Sequence, residues 1–197
     1  MLLASLMSCH SRATHGDGGD GGGLACKTIS PCGGDVVGVW SVTDSCLSGT
    51  DDLSSTCAGL SADLSLSVSG TTTYNADQTF TATVTGSGTT VYHYPAACIP
   101  GTATCTQLGQ TLMAIGMYSS VTCTTDSGGI CNCVAITTVA PTTEMGTYST
   151  SGSTLSVTQN GTTSTSPYCV NGDLLYEMNA PGDGGAAITG SIVLMRQ

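Results

Sequence analysis

Apolar and polar residues alternate along much of the chain, which is the pattern of β-strands with one buried face and one wet face. In the segment ADLSLSVSG, Leu64, Leu66 and Val68 alternate with aspartate and serine. In TFTATVTG, Phe80 and Val84 alternate with threonine. These patterns predict strands whose hydroxyl-bearing face lies in water, and the closing segment ITGSIVLMRQ predicts one more strand.

Residues 146–178 contain four strand-like segments separated by three turn signals. The segments are GTYST, STLSVTQ, TTSTSPYCV and DLLYEM, and the turns are Ser151-Gly152, Asn160-Gly161 and Asn171-Gly172. Asn-Gly favours the type I′ turn, because both central residues of that turn need a positive φ. Successive tight hairpins predict an all-β fold, an antiparallel up-and-down meander closed into a barrel. A β-sandwich is the alternative.

The segment CTQLGQTLMAIG departs from this pattern and predicts a short inserted helix over residues 105–116. Thr104 and Gln107 have the spacing of a capping box, and Gly116 is suited to end the helix. Three apolar residues recur at helical spacing: Leu108, Leu112 and Ile115.

The first 25 residues have the character of an export and anchoring segment. Leu6-Met7-Ser8-Cys9 resembles a bacterial lipobox, in which the cysteine carries lipid and becomes the mature N-terminus. The apolar run before Cys9 is shorter than the roughly 20 residues that span a bilayer. We therefore expect residues 1–8 to be a signal-peptide remnant, 9–25 a flexible Gly/Asp-rich tether and 26–197 a single domain. Calcium binding by the tether is a weaker reading, because the nonapeptide repeat needs several copies.

Cysteine usage favours an oxidising compartment outside the cytosol. Lipidation of Cys9 leaves an even set of ten cysteines, enough for five disulfides. They are Cys26, Cys32, Cys46, Cys57, Cys98, Cys105, Cys123, Cys131, Cys133 and Cys169. No C-x2-C pair of the kind found in structural zinc sites is present, so we expect no metal.

The pairing of these cysteines is an interpretation from proximity in sequence. The pairs 46–57, 98–105 and 123–131 are preferred because each closes a short loop. Cys131 and Cys133 share one face of a strand, so they are better placed to bridge two different neighbours than each other. The segment between Cys123 and Cys131 is expected to form a hairpin tip.

The charge balance excludes one class of partner. Three basic residues stand against 13 acidic ones, for a net charge of −10. A nucleic-acid binder needs a basic surface to neutralise phosphates, so nucleic acid is not an expected partner. The expected location is the outer membrane or cell surface, with a membrane contact through the N-terminal lipid.

Candidate catalytic residues are few, and we expect no enzyme and no cofactor. His10 and His15 lie in the tether, and His93 lies in the strand-like segment VYHYP on the face of Val91, away from the neighbouring tyrosines. No G-x-S-x-G or H-E-x-x-H motif accompanies them. Asp51-Asp52 is a pair of carboxyl groups, but the segment SGTDDLSS is more typical of an exposed loop that forms a turn.

Five segments, in order, resemble bacterial secreted lipocalin-like lipoproteins of the myxobacterial type. They are GVWSVTDSC, YNADQTFTATVTG, GTYSTSGSTLSVT, YCVNGDLLYEM and ITGSIVLMRQ. Gly38-Val39-Trp40 matches the G-x-W of the first lipocalin strand. The resemblance implies an up-and-down barrel closed at one end by Trp40, and by analogy the binding of a small apolar ligand. Five disulfides and an inserted helix depart from the standard lipocalin pattern.

Two functions follow from this reading, and the volume of the interior distinguishes them. One is a ligand-binding barrel at the cell surface, and the other is a non-catalytic structural or adhesion module with a filled core. The helix is expected to bury Leu112 in the mouth of the barrel. The expected interior residues are Trp40, Val42, Leu64, Leu66, Val68, Phe80, Val84, Leu112, Leu155 and Val157.

Overall fold

The computed structural model describes residues 29–179 and 188–197. Within these ranges the chain forms nine strands, a 3-10 turn at Ala96–Cys98 and helix α1 at Cys105–Ala114. The strands are β1 Gly38–Asp52, β2 Ser61–Tyr74, β3 Thr79–Tyr94, β4 Ser120–Thr125, β5 Cys131–Ser151, β6 Thr154–Gln159, β7 Thr162–Asn171, β8 Leu174–Asn179 and β9 Thr189–Arg196.

The strands form a single antiparallel sheet that closes on itself. Its order is β3-β2-β1-β9-β8-β7-β6-β5-β4, and a further pairing of β3 with β5 completes a ring. β4 pairs only with the outer edge of β5, so eight of the nine strands form the ring. The all-β antiparallel meander is confirmed. The ring is uneven, and an arrangement of two packed faces is also consistent with it.

The unevenness comes from strand length and gives the ring two different ends. β5 spans 21 residues and β6 only 6. β9 begins opposite Ser48, and β6 pairs with β5 only from Thr147 onward. All eight ring strands are present at the end that contains Gly38 and Arg196, called here the closed end. Only β1, β2, β3 and β5, joined by β4, continue to the opposite or extended end.

The hairpins predicted near the C-terminus are present. Asn160 and Gly161 form the β6–β7 turn with φ of 49° and 78°, the pattern of a type I′ turn. The other two turns lie one residue later than the sequence suggests, at Gly152-Ser153 and Gly172-Asp173. In both, only the glycine has a positive φ, as at the first position of a type II′ turn.

The main core lies inside the ring, towards the closed end. Trp40, Leu155 and Leu175 are at most 1% exposed, and aromatic side chains fill much of the space around them. The aromatic members are Trp40, Tyr74, Phe80, Tyr148 and Tyr168.

Helix α1 begins as predicted. The Gln107 backbone N–H donates to the Thr104 hydroxyl, and the Thr104 backbone N–H donates to the Gln107 side chain, so the capping box is complete. The helix ends at Ala114, and Gly116 follows it with φ of 79°. Ile115, expected in the buried stripe, is 54% exposed because it lies beyond the last helical residue.

Four disulfides join described residues: Cys32–Cys169, Cys57–Cys98, Cys105–Cys131 and Cys123–Cys133. Cys46 is also disulfide-bonded. The predicted local pairs 46–57, 98–105 and 123–131 are therefore wrong, because the fold brings together cysteines that are not neighbours in sequence. The expectation that Cys131 and Cys133 bridge two different partners is confirmed.

Candidate functional site

An apolar cavity of about 100 Å³ lies between the main core and the extended end of the ring. Its walls come from β1, β2, β3 and β5, and Ile188 contributes from the segment before β9. The apolar lining residues are Leu47, Leu64, Leu66, Gly88, Val139 and Ile188, and the hydroxyl-bearing ones are Ser48, Ser65, Thr89, Thr90 and Thr137.

The register of β2 and β3 explains why space remains here. Leu64 lies opposite Thr90, and Leu66 lies opposite Gly88. A Cβ at Gly88 would come no closer than 3.8 Å to the Leu66 side chain and the Ser65 carbonyl. A larger side chain would therefore fit at this position. Because Gly88 has no side chain, the space remains empty and forms the cavity.

A carboxyl group faces the interior beside the aromatic core. The Tyr74 hydroxyl on β2 donates to Glu177 Oε1 on β8 at 2.8 Å, across the inside of the ring. Burial raises the pKa of the Glu177 carboxyl, although the Tyr74 bond opposes that rise. Burial also raises the pKa of Tyr74 well above its usual value, helped by the Glu177 charge. The sequence prediction missed Glu177, although a lone acid within the apolar run LLYEM is a usable signal.

The closed end is sealed by Trp40 and Arg196. Trp40 is fully buried, and its Nε1–H donates to the Val36 carbonyl at 2.7 Å. The Arg196 guanidinium lies 4.3 Å from the Trp40 ring centroid, a cation–π distance, and donates to the Val37 carbonyl. Gly38 has φ of 143°, and a Cβ there would lie 2.7 Å from Arg196 Nη1. A glycine two residues before the tryptophan thus makes room for the guanidinium.

Helix α1 packs on a separate cluster at the extended end. Leu112 is buried against Cys105, Cys131 and Cys133, whereas the cavity lining contains no residue of α1. Leu112 therefore lies outside the main core, contrary to the expected interior set, because the helix docks on β4 and the disulfides. A Cβ at Gly109 would lie 2.9 Å from Cys123 Sγ, so Gly109 permits this close approach.

The other expected interior residues lie inside the ring. Leu64 lines the cavity, and the rest pack in the main core or against it. The buried members are Trp40, Val68, Phe80 and Leu155, and the partly buried members are Val42, Leu66, Val84 and Val157.

His93 lies on the outer face of β3 in a polar network. Its Nε2 is 3.0 Å from Asp63, and its Nδ1 is 2.7 Å from Asn132, which also donates to Asp126. Desolvation lowers the pKa of His93, but the bonds to Asn132 and Asp63 and the nearby acidic charges outweigh it and raise the pKa. Both ring nitrogens are occupied by these partners, and among the described residues neither hydrogen-bonds to a hydroxyl or thiol group.

Asp51 and Asp52 end strand β1 rather than forming a loop. Asp51 pairs with Ala62 and is 7% exposed, so its side chain is buried at the extended end. Asp52 is exposed and accepts a hydrogen bond from the Ser54 backbone N–H. The expected turn role holds for Asp52, and the expected exposure of Asp51 is wrong.

The outer surface of β2 and β3 carries an unbroken array of hydroxyl groups, called here the hydroxyl face. Its eight members pair across the two strands and include no charged residue. They are Ser65, Ser67, Ser69 and Thr71 on β2 and Thr83, Thr85, Ser87 and Thr89 on β3.

The proposed lipid site Cys9, the tether residues His10 and His15, and Cys26 lie outside the described residues. Across residues 29–179 and 188–197, none of the helices has the length and apolar character needed to cross a membrane. The chain matches no protein-family profile, no curated protein and no solved structure.

Proposed function

We propose that this protein is an exported, non-catalytic, lipocalin-like surface lipoprotein whose ring binds the short apolar end of a small ligand. The observation that carries the proposal is the apolar cavity of about 100 Å³ lined by the long strands and partly open to solvent. Leucine and valine side chains supply its apolar walls, and Thr90 and Thr137, which share the inner face with Leu64 and Leu66, offer hydroxyl groups for polar contacts. This is the usual composition of a small-molecule site.

The volume limits the ligand. The cavity is smaller than the roughly 150 Å³ cavity that accepts benzene, and well below the roughly 300–1,000 Å³ of a drug-sized pocket. A whole lipid or pigment does not fit. A short aliphatic segment does, with the remainder of the ligand outside the ring.

The cavity is tested with straight-chain alcohols of increasing length, titrated by calorimetry. Each methylene group that enters contributes up to about 0.8 kcal/mol, or roughly a fourfold gain in affinity. We expect affinity to rise with chain length and then to level off once the cavity is full. Affinity that is unmeasurable, or that never levels off, contradicts a bounded site.

Gly88→Val is the matched substitution, because Gly88 lines the cavity and a Cβ there would meet no atom closer than 3.8 Å. It should abolish alcohol binding and stabilise the fold by about 1 kcal/mol, through cavity filling and strand propensity. Ser87→Val is the control, since Ser87 points to the hydroxyl face and is exposed. Equal loss of binding in both variants would place the alcohols elsewhere.

The surface location rests on the lipobox-like tetrad and on the disulfides, which persist in oxidising compartments. With a complete signal peptide supplied, Cys9→Ala should move the protein from the membrane fraction to the soluble fraction. Ser11→Ala in the same tether is the control and should remain with the membrane. Membrane association that survives Cys9→Ala rules out a lipid anchor at this residue.

The hydroxyl face favours the second candidate, a structural or adhesion module. Eight adjacent hydroxyl side chains form an uncharged polar surface that faces solvent. If the folded, oxidised protein binds none of the alcohols, this second function is preferred.

A further inference from the structure

Four sulfur atoms meet at the extended end, beneath helix α1. Cys105, Cys131 and Cys133 have their sulfur atoms within 4.8 Å of one another, and all three are buried. Cys123 is bonded to Cys133 and supplies the fourth sulfur. The two disulfides are neighbours, since Cys131 Sγ and Cys133 Sγ are 3.7 Å apart.

The separation between the bridges matches tetrahedral coordination by thiolates. Zinc binds cysteine sulfur at about 2.3 Å, which places two sulfurs of a tetrahedral site about 3.8 Å apart. Cys131 and Cys133 already have this separation. Opening the two disulfides would let the other two sulfurs move outward to the same distance.

The surroundings also suit thiolates. Cys105 is the first residue of α1, and the amide groups of a helix N-terminus stabilise a thiolate. Gly109 gives Cys123 Sγ room beside the helix. The strand pair β4–β5 fixes the other three cysteines, because Cys123 lies directly opposite Cys133.

We infer that Cys105, Cys123, Cys131 and Cys133 form a zinc site in the reduced protein and two disulfides in the oxidised protein. Reduction of the two bonds takes four electrons and four protons from a dithiol reductant, which is itself oxidised to disulfides. Zinc then replaces the four thiol protons, which pass to solvent. The inference is independent of the proposed cavity, which lies elsewhere in the ring.

The experiment reduces the full-length protein with a dithiol, adds zinc chloride, removes unbound metal and measures zinc by atomic emission. We expect one zinc ion per chain after reduction and none in the oxidised protein. Cys105→Ser/Cys131→Ser should lose this zinc. Cys57→Ser/Cys98→Ser removes a disulfide outside the cluster and should retain it.

Circular dichroism in the near ultraviolet shows whether the reduced chain is folded. Zinc should preserve the native signal of the wild type and of the Cys57→Ser/Cys98→Ser variant under reducing conditions. Cobalt chloride in place of zinc should produce the thiolate-to-metal absorption of a tetrahedral four-sulfur site. The inference is overturned if the reduced wild type unfolds without retaining zinc. It is also overturned if Cys105→Ser/Cys131→Ser binds as much zinc as the wild type.

Discussion

Removal of individual disulfides should destabilise the protein in an order set by the chain segment each one closes. Cys32–Cys169 closes a loop of 137 residues, and Cys123–Cys133 closes one of 10. In the chain-entropy description, a cross-link stabilises the fold by restricting the unfolded chain, more so for longer loops. The pair Cys32→Ala/Cys169→Ala should therefore cost more than Cys123→Ala/Cys133→Ala.

The magnitudes follow from the loop lengths. The 137-residue loop corresponds to about 5.0 kcal/mol and the 10-residue loop to about 2.7 kcal/mol at 25 °C. The disulfides Cys57–Cys98 and Cys105–Cys131 lie within this longer loop. They remain closed in the unfolded chain and shorten the path from Cys32 to Cys169 by 41 and 26 residues. The effective loop is then about 70 residues, and the expected cost of losing Cys32–Cys169 falls to about 4.4 kcal/mol.

The assay is equilibrium unfolding in urea without reductant, followed by the fluorescence of Trp40, the single tryptophan of the chain. Cys57→Ala/Cys98→Ala removes the disulfide that closes a loop of 41 residues, and it should give an intermediate loss of about 3.9 kcal/mol. A dependence of stability on loop length is refuted if the short-loop variant Cys123→Ala/Cys133→Ala loses the most free energy of unfolding.

Two further predictions concern the closed end. Burial raises the pKa of the Glu177 carboxyl in the folded protein, so the folded state holds this proton more tightly than the unfolded state does. The free energy of unfolding therefore falls as the pH rises from about 4.3, the unfolded pKa, through the folded pKa. In urea unfolding, Glu177→Gln should therefore be more stable than the wild type at pH 7 and should lose that advantage near pH 4. An advantage that does not change with pH would contradict this prediction. Gly38→Ala should lower the free energy of unfolding by about 1–3 kcal/mol more than Gly101→Ala does. Gly101 is the control because it also has a positive φ, but a Cβ there would have no neighbour within 4 Å. Equal melting temperatures of the two variants would contradict the role of the Arg196 contact.

Local patterns predicted the elements well because strands, turns and caps depend on neighbours in sequence. The alternation in β2 and β3, the Asn160-Gly161 turn and the Thr104–Gln107 capping box are all of this kind. The 21-residue length of β5 was harder to predict, since Pro141 normally interrupts a strand. The structure places Pro141 at a register irregularity between β3 and β5, where a backbone donor is not needed for the ladder.

The disulfide pairing could not be predicted because it depends on register. In the β4–β5 hairpin Thr125 pairs with Cys131, which places Cys123 opposite Cys133. A shift of the register would change the partner of Cys123, and no local signal in the sequence fixes that shift. Glu177 was missed for a similar reason, since its partner Tyr74 lies on a strand across the ring.

The two ends of the ring are stabilised by different means, and strand length explains the difference. At the closed end eight strands surround a core of aromatic and aliphatic side chains, and Trp40 with Arg196 seals it. At the extended end only a curved sheet remains, which cannot enclose a comparable core. Three of the four described disulfides lie there, together with α1. Covalent bonds thus take over where apolar burial is insufficient, as in small exported domains. The cavity lies between the part of the ring that apolar burial stabilises and the part that the disulfides stabilise.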